Sequence, residues 1–181
     1  MLINFYFYIM RKIIWAPWRI EYIEKAKEGS QKDEKEKCFL CEAWRGEDDR
    51  LVVYKGKNAF VIMNKYPYNS GHIMICPKTH TAELENIPFE EKVELLELLE
   101  LSMKALKKAI KPHGFNIGIN IGRIAGAGLE EHIHIHVVPR WAGDTNFMST
   151  CGNSKVIVED INSSMMKIKN YLEEVIVESK R

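Results

Sequence analysis

The chain has 181 residues, 46% hydrophobic and 28% charged, so it can fill one domain core and does not read as disordered. Its 26 basic and 25 acidic residues leave a formal charge of +1, which argues against a broad nucleic-acid surface and leaves room for a small, locally held anion. No apolar run reaches membrane-spanning length, and no internal repeat is present.

The opening MLINFYFYIM is apolar but lacks a basic n-region and a small-residue cleavage site, so it does not read as a signal peptide. Met10, followed by Arg11 and Lys12, offers a second start, which makes residues 1–10 a candidate upstream extension. A cytoplasmic location with reduced cysteines is the expectation. Residues 11–37 combine an aromatic arm, IIWAPWRIEYI, with a polar linker, KAKEGSQKDEKEK, and Trp15, Trp18 and Tyr22 in the arm read as packing residues. Cys38 and Cys41 form a C-x-x-C pair, which in a reducing compartment suggests metal or redox chemistry.

LVVYKG and NAFVIMN are strand-like runs joined near Gly56-Lys57-Asn58, a hairpin connection. HIMICP is a third strand, ended by Pro77. From Phe89 to Ile110 the period becomes helical: Leu96, Leu99, Met103, Leu106 and Ile110 form the main stripe, with Val93, Leu95, Leu98 and Leu101 as a flank. Pro112 and Gly114 stop that helix. FNIGINIG is a strand, RIAGAG a glycine-rich loop, and HIHIHVVP a strand closed by Pro139. A polar loop then leads to a last helix around residues 158–178, where Met165 and Met166 suit core filling or a subunit contact. Successive strands with one long helix and few βαβ units predict an α+β fold on an antiparallel sheet, without fixing strand order. The main domain is expected over residues 38–150, with a helical C-terminal extension over residues 151–181.

The segment GLEEHIHIHVVPR carries the chemistry. On a strand, alternate side chains share a face, so His132, His134 and His136 project together while Ile133, Ile135 and Val137 fill the other side. Three buried imidazoles are costly without partners, so a purely structural role is a poor explanation. Two chemistries need such a row: a catalytic metal with an open position, or a histidine nucleophile towards phosphorus with supporting neighbours. Gly122, Gly126 and Gly128 just upstream let backbone N–H groups approach an anion, which favours phosphate chemistry. The cysteine pair needs further ligands for zinc, with His72, His80, His113 and the triad as candidates. His72 otherwise suits a pocket wall, His113 the surface, Cys76 a buried apolar site, and Cys151 no particular role.

Taken together, Cys38-Phe-Leu-Cys41, NKYPYNSGHIMICPKTH and G-x-G-L-x-x-H-I-H-I-H-V-V-P resemble the histidine triad (HIT) superfamily, nucleotide hydrolases and transferases with the motif His-φ-His-φ-His-φ-φ. The likeness runs from about Cys38 to Phe147, and HVVPRWAGDTNFM looks closest to the zinc-bearing, diadenosine tetraphosphate phosphorylase-like members. The resemblance implies a HIT-like fold with about five antiparallel strands, one long helix and a C-terminal helix, its sheet joined to that of a second subunit in a homodimer. It implies His134 as nucleophile, forming a nucleotidyl–histidine intermediate on a dinucleoside polyphosphate, and His136 as the residue at the phosphate that assists the leaving group. It further implies a structural zinc ion on Cys38, Cys41, His80 and His132. By the same likeness, Ile62 would flank the base, Asn64 would hold ribose hydroxyls, and Asn120 would contact phosphate. Many relatives carry Gln with Ser or Thr before the triad. Here Gly126, Ala127, Gly128 and Leu129 stand in that loop, so their backbone N–H groups, with Thr145 and Asn146, are the expected phosphate donors. Inorganic phosphate is the implied acceptor, water the alternative for a polyphosphate or nucleoside phosphoramidate hydrolase. A zinc-dependent phosphohydrolase and a binding module without turnover complete the readings.

Overall fold

The computed structural model describes residues 38–144, 157 and 159–180. The aromatic arm, the linker, Thr145, Asn146 and Cys151 lie outside the described residues. Among the described residues, three α-helices and five strands follow in the order α1 (Phe39–Arg45), β1 (Val52–Lys55), β2 (Ala59–Met63), β3 (Ile73–Pro77), α2 (Phe89–Ile110), β4 (Gly114–Ile119), β5 (Ile135–Arg140) and α3 (Ile161–Ser179). Neighbouring strands pair antiparallel in the order β1-β2-β3-β5-β4, so the predicted α+β class holds and β5 inserts between β3 and β4.

Strand alternation separates two cores. On one face Val61, Met63, Ile73, Ile75, Ile133 and Val137 pack with Leu95, Leu98 and Leu106 of α2 and with Ile168 and Leu172 of α3. On the other, Phe60, Ile62, Met74 and Cys76 pack with Cys38, Leu40 and Ala43 at α1. β2 and β3 are buried along their whole length, as sheet centres covered on both faces should be. The hairpin tip is tied to α2, where Glu94 accepts the backbone N–H groups of Lys57 at 2.7 Å and Asn58 at 2.8 Å.

Three features differ from the sequence reading. Helix α1 was not expected, although Gly46 takes the left-handed conformation that commonly closes a helix. The buried face of α2 draws on both predicted rows: Leu95 and Leu98 of the flank are 5% and 3% exposed and Leu106 of the main stripe is 0% exposed, whereas Leu96 of that stripe is 64% exposed. The doublets Leu95-Leu96 and Leu98-Leu99 fit either of two stripes of equal period, and packing against the sheet and α3 decides which leucine is covered. Finally, the β5 ladder begins at Ile135, not His132. Extending the β3–β5 register would set Ile133 opposite Pro77, which has no N–H to donate. Ile133 N–H instead donates to Thr81 O at 2.8 Å, and the chain leaves the sheet there.

Candidate active site and metal centre

The three histidines share the α1 side of the sheet, because His136 pairs with Met74 of the second core and with Gly118 on β4. His132 and His134 are 0% and 6% exposed, so each must satisfy its ring nitrogens within the protein.

His134 Nδ1 lies 2.8 Å from its neighbour's carbonyl, His132 O. A carbonyl only accepts, so Nδ1 carries the proton and Nε2 keeps its lone pair. Burial pushes the His134 imidazole below its ordinary pKa, with the bond to His132 opposing, which favours the neutral ring.

His136 is committed the other way. Tyr68 N–H donates to His72 Nδ1 at 3.0 Å, so the proton of His72 sits on Nε2. That nitrogen lies 3.0 Å from His136 Nδ1, which therefore accepts and leaves its own proton on Nε2. His72 is fully buried, and the Tyr68 ring stacks on it with centroids 4.8 Å apart. Burial, then the nearby His136 and His134 rings, lowers the His72 imidazole to about 3. The rings of His134 and His136 meet edge to face at 4.7 Å. A bare nitrogen and an N–H donor thus stand side by side.

The expected substrate residues gather around this pair unevenly. Asn120 Nδ2 donates to Gly126 O at 3.4 Å and lies 3.5 Å from His136 Nε2, so this side chain stands between histidine and loop. In the loop, Gly126 and Ala127 donate their N–H groups to Arg123 O and Gly122 O at 3.0 and 3.3 Å, so these two amides serve the turn. Gly126 has φ +94°, a left-handed conformation that suits glycine. Leu129 packs against the second core, where Ile62 is 3% exposed. Asn64 Oδ1 accepts Tyr66 N–H at 2.8 Å, and its Nδ2 lies 3.5 Å from His72 Nε2. Sequence reasoning gave Tyr68 no role, since a backbone N–H that fixes a tautomer leaves no side-chain signature.

A second cluster adjoins the first. Cys38 Sγ lies 3.4 Å from His132 Nδ1, and Cys41 Sγ lies 3.3 Å from His80 Nδ1 and 3.5 Å from His132 Nδ1. All four donor atoms fall within 4.8 Å of one another. Zinc bonds to thiolate and imidazole set S···N edges of about 3.6 Å in a tetrahedron, so the spacing fits. The donor chemistry fits too: His132 Nε2 donates to Pro77 O at 2.9 Å, leaving Nδ1 for a metal, while Glu131 lies 3.9 Å from His80 Nε2. Burial, reinforced by Cys38, pushes the Cys41 thiol up to about 12. α1 supplies the cysteine geometry, as Cys41 is one turn from its N-cap, Cys38. His134 is not among these donors, and His113 is exposed, so neither joins the cluster. Cys76 is fully buried in the second core, as expected.

Known proteins match this arrangement. The HIT domain family model matches residues 45–143. The chain is 38% identical over 147 residues to an AP-4-A phosphorylase of Mycobacterium tuberculosis, covering 80% of this chain and 75% of that one. A Zn-bound histidine triad family protein from Mycobacterium smegmatis superimposes with a TM-score of 0.65 at 27% identity, over 80% of this chain and 98% of that one. A hypothetical histidine triad nucleotide-binding protein from Sulfolobus tokodaii gives a TM-score of 0.62 at 27% identity, over 76% and 93% of the two chains.

Proposed function

Since the chain belongs to the HIT domain family, we propose that it splits dinucleoside polyphosphates through His134, passing the nucleotidyl group to inorganic phosphate. The observation that carries this reading is the 2.8 Å bond from His134 Nδ1 to His132 O, which holds the opposite nitrogen unprotonated in a neutral ring. Neutral imidazole suits the attack because it is nucleophilic without being repelled by a polyphosphate. Nε2 bonds to the α-phosphorus as the bond to the leaving polyphosphate oxygen breaks. In this proposal His136 Nε2–H protonates that oxygen, and the bond from His72 supports the reading by favouring the donor tautomer. Phosphate then gives a proton back to His136 Nε2 as it attacks phosphorus and displaces the histidine, which regenerates both the bare nitrogen and the donor. Asn120, Gly128 and Leu129 are proposed as phosphate contacts, Asn64 and Ile62 as ribose and base contacts.

Cys38, Cys41, His80 and His132 would hold zinc, which when bound supplies a cross-link between α1, the turn after β3 and the segment just before β5. The His132 carbonyl that orients His134 belongs to one of these residues, so the ligand set also steadies the nucleophile. The likeness to an AP-4-A phosphorylase supports phosphate as acceptor, and water is the runner-up. Incubation with diadenosine tetraphosphate decides between them: ADP plus ATP, dependent on added phosphate, is expected. AMP plus ATP regardless of phosphate would replace the proposal with hydrolysis.

A second copy of the chain is the proposed partner. β4 is an edge strand whose Ile117 and Ile119 are exposed, and Val93 and Leu96 are exposed apolar side chains on α2.

A further inference from the structure

Glu91 stands in the first turn of α2 and is 1% exposed, yet its hydrogen bonds go neither to the histidine row nor to the sulfur cluster. Both of its oxygens are spent on one residue. Oε2 accepts Thr79 N–H at 3.0 Å, and Oε1 accepts Thr79 Oγ1–H at 2.7 Å. A carboxylate is expensive to bury and must be held by donors, so this double bond is a strong local constraint. Two residues on, Thr81 O accepts Ile133 N–H at 2.8 Å, and Ile133 directly follows His132. The residue between these two fixed points is His80, whose Nδ1 lies 3.3 Å from Cys41 Sγ.

We infer that Glu91 is a positioning residue for the zinc site. It clamps the 79–81 turn from the helix side, so that His80 keeps its Nδ1 at the fourth corner of the cluster. Without the clamp, Thr79 loses both partners and the turn gains freedom, which zinc binding must then remove. Glu91 acts entirely through Thr79 and never contacts the ion. The inference rests on the reading of Cys38, Cys41, His80 and His132 as zinc ligands.

Zinc content of the full chain by native mass spectrometry comes first, followed by competition against a chromophoric chelator. Glu91→Ala should weaken zinc binding by about 10- to 100-fold, the range for lost partners of metal ligands. Glu91→Gln should recover most of that loss, because its amide oxygen accepts Thr79 N–H while its NH2 donates to a rotated Thr79 hydroxyl. Thr79→Val keeps the backbone bond and should fall between the two, and it bears the test if Glu91→Ala does not fold. Wild-type affinity in Glu91→Ala, or in Thr79→Val should that variant stand alone, would overturn the assignment while leaving the zinc site intact. Equal destabilisation of zinc-free and zinc-bound Glu91→Ala would do the same, since it marks a merely structural contact. A wild-type chain that takes up no zinc would overturn the ligand reading itself, and the inference with it.

Discussion

His134 and His136 stand two positions apart, yet opposite ring nitrogens carry their protons. A main-chain carbonyl fixes the first, and His72, itself fixed by Tyr68 N–H, fixes the second. The unequal roles predict unequal losses. His136→Ala removes one donor and should lower kcat by about 10²–10³-fold. His134→Ala removes the nucleophile of the proposed covalent route, should lose more than that, and should show no nucleotidyl adduct in intact-mass spectra of quenched reactions. His72 also carries a stability prediction. Its folded pKa of about 3 lies below the unfolded value near 6.5, so between them only the unfolded chain binds the proton. The contribution is complete above pH 6.5 and is lost as pH falls towards 3. Each such proton costs about 1.4 kcal/mol per pH unit, and His72→Asn should remove one proton's slope from urea-melt stability over pH 4–6.

At the scale of elements, α2 shows what periodicity leaves open. Its length and ends were legible, because Pro112 and the glutamate-rich start mark them, but its buried face takes Leu95 and Leu98 from the flank and leaves Leu96 of the main stripe exposed. Leu95→Ala should cost about 2–5 kcal/mol, the range for a leucine removed from a core. Leu96→Ala should stay within about 0.5 kcal/mol in the monomer, as exposed substitutions do. Chemical denaturation of the pair measures the difference directly. β5 gives the complementary case: alternation alone put three imidazoles on one face, while the start of the ladder depended on Pro77 across the sheet.

At the scale of the molecule, the exposed edge of β4 and the outward stripe of α2 predict self-association. Sedimentation at micromolar concentration should give about twice the monomer mass, and Ile119→Lys should shift it to monomer by placing charge on the edge strand. No helix among the described residues is long and apolar enough to cross a membrane. Sequence alone determined the five strands and the two long helices, though not α1, together with the shared face of the histidines and the residue types able to bind zinc and attack phosphorus. Those follow from chain chirality, side-chain alternation and donor chemistry, which act between near neighbours. Tertiary structure decided strand order, the covered side of α2, the junction of Cys38 with His132 across 94 positions, and that of His72 with His136 across 64. Such pairings come from packing two faces of one sheet at once, and no local period encodes which distant residue will fill the space.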